Sequence, residues 1–142
     1  MTYSIGELSR LTGVKPTTIR WYESEGWLHA AERSEGGHRL YSDAHLGRLT
    51  FIRHARELGF ESEAIRALLR LAGRPDADCG EAHALASAQV REIDARIERL
   101  ASLRAELARI AGHCLGGTVG ECRIIEALAE PAARLTPMPR GA

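Results

Sequence analysis

The stretch IGELSRLTGVKPTTIRWYESEGWL, residues 5–28, decides how the chain begins to fold. Ile5, Leu8 and Leu11 stand at helical spacing behind Ser4, a good N-cap, and Gly13 supplies a stop, which predicts a helix over 5–12. Lys15-Pro16-Thr17-Thr18 opens a second helix, because proline suits the first helical turn, and Gly26 ends it after about Glu25. Two short helices joined by a three-residue hinge, 13–15, read as a helix-turn-helix.

From Trp27 to Tyr41 the Gly36-Gly37 pair is a hairpin-turn signal between stretches carrying Arg33 and Arg39, and predicts a small wing. Ser42-Asp43 caps a third helix over about 43–58, with Leu46, Leu49, Phe51 and Ile52 expected to face inward and Gly59 closing it. A fourth helix is expected from Glu61 to Leu71, ended by Gly73-Arg74-Pro75-Asp76. This gives a domain over 1–74 and a linker over 75–79. From 80 to 111, Ala86, Val90, Ile93, Ile97, Leu100, Leu107 and Ala111 keep three-four spacing, widened by Leu103 and Ile110 and interrupted by Arg104. Such a helix has little else in the chain to pack on, so an antiparallel helix pair in a homodimer is expected. A glycine-rich loop and a short apolar helix, RIIEAL, fill 112–130, and the helix could cover the loop from solvent; residues 131–142, with three prolines, are expected to be a disordered tail. The fold class is therefore mainly α: a winged helix-turn-helix domain, a long antiparallel coiled-coil dimerisation helix, and a short C-terminal loop and helix.

The three cysteines, 79, 114 and 122, sharpen this reading. If 80–111 is one helix, a rise of ~1.5 Å per residue puts Cys79 and Cys114 on the order of 50 Å apart in one molecule. No metal or disulfide spans that distance. Antiparallel pairing would instead bring Cys79 of one protomer beside Cys114 and Cys122 of its partner. Three thiolates favour a soft divalent ion, and in a reducing compartment an odd cysteine count suits metal or redox chemistry better than a disulfide framework. Zinc generally wants a fourth ligand, which His113 or His83 could supply; lead, cadmium and mercury need neither histidine and rank ahead of zinc.

On the DNA side, Thr17, Thr18, Arg20, Trp21 and Tyr22 of the second helix, and Arg33, His38, Arg39 and Tyr41 of the wing, gather groups that bind phosphates and base edges. Overall charge does not argue for it, since 19 basic residues balance 19 acidic ones. The case is local.

In order and spacing, residues 5–28, the wing ERSEGGHRLY (32–41) and LTFIRHARELGF (49–60) resemble the N-terminal domain of the MerR family of transcription regulators. The resemblance implies that Arg20, Tyr22, Arg33, Arg39, Tyr41 and Arg56 contact double-stranded promoter DNA, while His38 departs from the aromatic residue common there. It implies a homodimer that represses without metal and, when metal binds, distorts an over-long promoter spacer for RNA polymerase. Family sensors of monovalent ions carry serine where this chain has Cys79, which points to the divalent branch. Zinc sensors carry an adjacent cysteine and a histidine where Leu115 and Val119 stand, which argues against two zinc ions.

No apolar run reaches the ~18 residues of a membrane span, and the N-terminus lacks a signal-peptide layout, so a cytoplasmic protein with no membrane partner is expected. Nothing assembles a nucleophile with its base, so no enzyme is expected. Three thiolates are also too few for the usual iron-sulfur cluster. The rival is a thiol-based redox-sensing regulator of the same fold.

Overall fold

The hydroxyl of Ser4 accepts from the Glu7 amide at 3.1 Å while the Glu7 carboxylate accepts from the Ser4 N–H at 3.3 Å. This capping box satisfies two N–H groups that a first turn leaves unpaired, and it starts α1 (Ile5–Thr12). Gly13, at φ +74°, enters the left-handed region that a side chain resists, and its N–H donates to the Ser9 carbonyl at 2.8 Å. Pro16 then opens α2 (Pro16–Ser24), capped by Glu25. The helix-turn-helix is present as expected. The computed structural model describes residues 1–114 and 116–131.

Three strands form one antiparallel sheet in the order β1-β3-β2: β1 (Thr2–Tyr3), β2 (Glu32–Arg33) and β3 (Arg39–Ser42). The wing hairpin matches its Gly36-Gly37 signal, whereas β1 was not anticipated. Two residues are too short to carry an alternating pattern; the Tyr3 hydroxyl holds β1 instead, donating to Asp43 at 2.7 Å. Ser42 caps α3 (Asp43–Glu57), and here His45 plays the part usually taken by Glu: its Nδ1 accepts from the Ser42 N–H at 3.0 Å. Its Nε2 then carries the proton and donates to the His29 carbonyl at 2.9 Å, tying the wing to α3.

Leu49, Ile52 and Ala55 face inward at three-residue steps, and with Leu8, Ile19, Tyr22, Trp27, Leu28, Tyr41 and Ile65 they form the core. Phe51, expected inside, is 37% exposed, because a position next to Ile52 turns about 100° away from the buried face. It borders a hollow with Leu68, Leu71 and Pro75. From α4 (Ser62–Ala72), Ile65, Ala67 and Leu69 close the core.

One helix, α5 (Gly80–Gly112), runs for 33 residues. Among its residues only Ile110 is buried, so Ile110 belongs to its own unit and not to the open stripe where it was expected. The chain divides into two compact units, Met1–Ala86 and the part from Ser87 onward. In the second, a short 3-10 turn (Val119–Glu121) precedes α6 (Arg123–Ala129). Ile125 and Leu128 of α6 remain exposed. The tail expected over 131–142 falls, beyond Pro131, outside the described residues, as does Leu115.

Candidate nucleic-acid interface and thiol site

On α2, Ile19 and Tyr22 point into the core, which turns Thr17, Arg20 and Trp21 toward solvent, with Thr18 half-buried. Thr17, Thr18, Trp21, Tyr22 and Arg56 border a hollow of about 430 Å³. The Arg56 guanidinium lies 5.7 Å from the Tyr22 ring centroid and 5.4 Å from that of Trp27, within cation–π range. Tyr22 therefore keeps an edge at the hollow although it is 3% exposed.

In the wing, Arg33 and Arg39 are direct cross-strand partners. Like charges opposite one another in a sheet are unfavourable, so this pair suits an external anion. Arg33 Nη1 donates to the Gly37 carbonyl at 2.8 Å, which holds its side chain along the turn. His38 is exposed, and its N–H donates to Ser34 Oγ at 3.2 Å.

Tyr41 departs from expectation. It is fully buried, its hydroxyl donates to the Glu23 carboxylate, and burial first and Glu23 second push its pKa far above the usual phenol range. It has no surface left for a DNA contact. Tyr41 shares its strand face with Arg39, so alternation along β3 does not separate the buried tyrosine from the neighbouring cation, and only packing against the core does.

At the other end of the sequence, Cys122 is the N-cap of α6. The Ile125 and then the Ile124 backbone N–H groups, aimed at its sulfur without closing a capping hydrogen bond, lower its pKa, and the Cys114 thiol adds to the effect. Gly116 and Gly117, both at positive φ, lie in the loop between the two cysteines. Cys114 is exposed and Cys122 half-buried. His113 Nδ1 lies 3.1 Å from the Arg109 carbonyl, on the rim of a cavity of about 360 Å³ shared with Ile110, Arg123 and Glu126. Cys79 is exposed just before α5, and its carbonyl accepts the His83 N–H at 2.9 Å. Among the described residues of one chain, no three histidine, cysteine or acidic side chains are gathered to hold a metal.

The profile of MerR HTH family regulatory proteins matches residues 3–72, and the MerR DNA-binding profile matches 46–110. The transcriptional regulator ZntR of Escherichia coli K12 is 41% identical over 134 residues, 92% of this chain and 95% of its own length. This chain belongs to the MerR family. Among solved structures, this MerR-family chain is similar to the lead(II) complex of the regulator PbrR691 from Ralstonia metallidurans CH34. That match has a TM-score of 0.78 and 40% identity, covering 89% of this chain and 99% of that one. It is also similar to the mercury(II) complex of MerR from Bacillus megaterium MB1, at TM-score 0.69 and 32% identity over 90% of this chain and 100% of the other. A helix-turn-helix, a wing and a long following helix are thus the family's own architecture, and transcription regulation is this chain's class of activity.

Proposed function

We propose that this MerR-family regulator is a cytoplasmic homodimeric metal sensor that binds promoter DNA, represses without metal, and activates a metal-resistance promoter for RNA polymerase when a soft divalent ion is bound. The observation that carries the metal reading is the pairing of Cys114 with Cys122 at the α6 N-terminus, where backbone amides favour the thiolate that metal ligation requires. Two relatives matched over nearly their whole lengths have structures with lead(II) or mercury(II), which supports a soft ion here too.

The residues present fit such an ion. Cys114 and Cys122 would hold it together with Cys79 of the partner subunit, and three thiolates leave one net negative charge on a divalent cation. The ion supplies a crosslink between protomers. The protein supplies the thiolates, keeps hard cations out by offering sulfur, and orders the 114–122 loop. Distorting DNA costs on the order of 1–10 kcal/mol, so loading must favour the distorting conformer by a few kcal/mol. Ile124, Ile125 and Leu128 would transmit that preference through packing.

On the DNA side, Thr17, Thr18 and Arg20 would reach the major groove from α2, while Arg33, Arg39 and His38 from the wing and Arg56 would hold flanking phosphates. A titration of the purified dimer with lead, cadmium, mercury and zinc against a competing chelator, followed by thiolate-to-metal absorption, tests the sensor reading. Lead, cadmium and mercury are expected to bind more tightly than zinc, at one ion per three cysteines. A protein that takes up none of the four but forms a Cys114–Cys122 disulfide with mild oxidant would be the redox regulator instead.

A further inference from the structure

The Tyr41–Glu23 bond joins two elements that have to meet DNA together. Glu23 lies on α2, one turn after Arg20, and Tyr41 lies on β3, two residues after Arg39. Residues three apart on a helix, and two apart on a strand, share a face. Arg39 and Arg20 both stand near enough to act electrostatically on the Tyr41 hydroxyl. The bond crosses 18 positions of sequence, is partly buried, and is charge-assisted. Tyr41 is itself fixed by an edge-on contact with His45 at 5.3 Å between ring centroids, and His45 is bonded to Ser42 and to the His29 carbonyl. Hydrogen bonds at Glu23, Ser42 and His29 and one ring contact thus hold Tyr41 and its neighbours in place.

A carboxylate one turn from Arg20, bonded to a tyrosine on the strand face of Arg39, would be costly at a DNA surface if it did nothing else. Its use is therefore geometric. We propose that Tyr41 and Glu23 are positioning residues which lock the recognition helix α2 to the wing strand β3, so that Arg20 and Arg39 engage DNA at a set spacing, and that neither residue touches DNA itself. The proposal rests on the DNA-binding reading above and assigns Tyr41 a role opposite to a direct phosphate contact.

The test uses the full-length dimer and a duplex that the wild-type protein has selected from a random-sequence library, with affinity read by fluorescence anisotropy over a series of salt concentrations. Tyr41→Phe is expected to weaken binding about tenfold, equivalent to about 1.4 kcal/mol, while leaving the salt dependence unchanged because no phosphate contact is removed. Arg39→Gln should instead lower the slope of log K against log salt by about one. Glu23→Ala should match Tyr41→Phe, the double variant should be no weaker than either single one, and Glu23→Gln, which keeps an acceptor oxygen, should recover most of what alanine loses. A fall of about one in the salt slope for Tyr41→Phe, additive losses in the double variant, or unchanged affinity in Tyr41→Phe would each overturn the proposal. Should Tyr41→Phe fail to fold, Glu23→Ala and Glu23→Gln carry the test alone: alanine losing no affinity, or glutamine recovering none of the loss, would overturn it. Failure of the wild-type dimer to select any duplex would instead overturn the DNA-binding reading.

Discussion

At Cys122 the backbone of α6 favours a charged sulfur. The amides of Ile125 and Ile124, followed by the Cys114 thiol, stabilise the charged sulfur, so its pKa is lowered from the ordinary thiol value. Because the folded value is depressed, the stabilisation is fully present above the unfolded pKa and is lost as pH falls through the folded one. In metal-free buffer, iodoacetamide should therefore alkylate Cys122 with a midpoint below that of free cysteine, read by mass spectrometry of the labelled peptide. Cys114→Ser should raise that midpoint only slightly, since the backbone amides are the larger cause. A Cys122 midpoint at or above that of free cysteine would remove the argument that this helix end is built for ligation. Tyr41 illustrates the converse at the same scale: a tyrosine beside arginines in a wing reads as a DNA contact in sequence, and its burial and its bond to Glu23 are what support the positioning role proposed for it.

Among the elements, α5 has the plainest deficit. Val90, Ile93, Ile97, Leu100, Leu103 and Leu107 are exposed, from 41% at Ile93 to 64% at Leu107, and the chain offers them no partner surface among the described residues. Helices draw most of their stability from a packed face, so this one calls for a second copy. Leu100→Asp puts a charge in the middle of that seam and is expected to cost about 3 kcal/mol or more, over a hundredfold in the dimer dissociation constant. Sedimentation should then show monomers, and DNA affinity should fall with dimerisation; an undiminished dimer would mean that another surface joins the protomers. The stripe was legible in sequence because three-four spacing runs across several turns, and so were the Ser4 and Ser42 caps and the Gly36-Gly37 hairpin. β1 was not, since two residues carry no period, and the facing of Phe51 and Ile110 was lost for a related reason. A broad apolar patch on a helix names several inward candidates, and only tertiary packing chooses between neighbours such as Phe51 and Ile52.

For the whole molecule the decisive question is whether one metal site is built from two chains. Cys79 directly precedes α5, Cys114 follows its end by two residues, and a helix of 33 residues is ~50 Å long, which is why the proposed site draws its thiolates from two chains. An antiparallel dimer would have two sites, each taking Cys79 from one subunit and Cys114 with Cys122 from the other. A Cys79→Ser homodimer lacks Cys79 in both sites, and a Cys114→Ser homodimer lacks Cys114 in both. The heterodimer of the two variants combines the native Cys79 of one subunit with the native Cys114 and Cys122 of the other in a single site, and concentrates both losses in the second. Purified through two different affinity tags, it should bind one lead or mercury ion per dimer with an affinity close to that of the wild type, while both homodimers bind at least a hundredfold more weakly, a difference of about 2.7 kcal/mol. A heterodimer as weak as its parents would mean that each subunit assembles its thiolates alone, and the antiparallel arrangement would have to be given up.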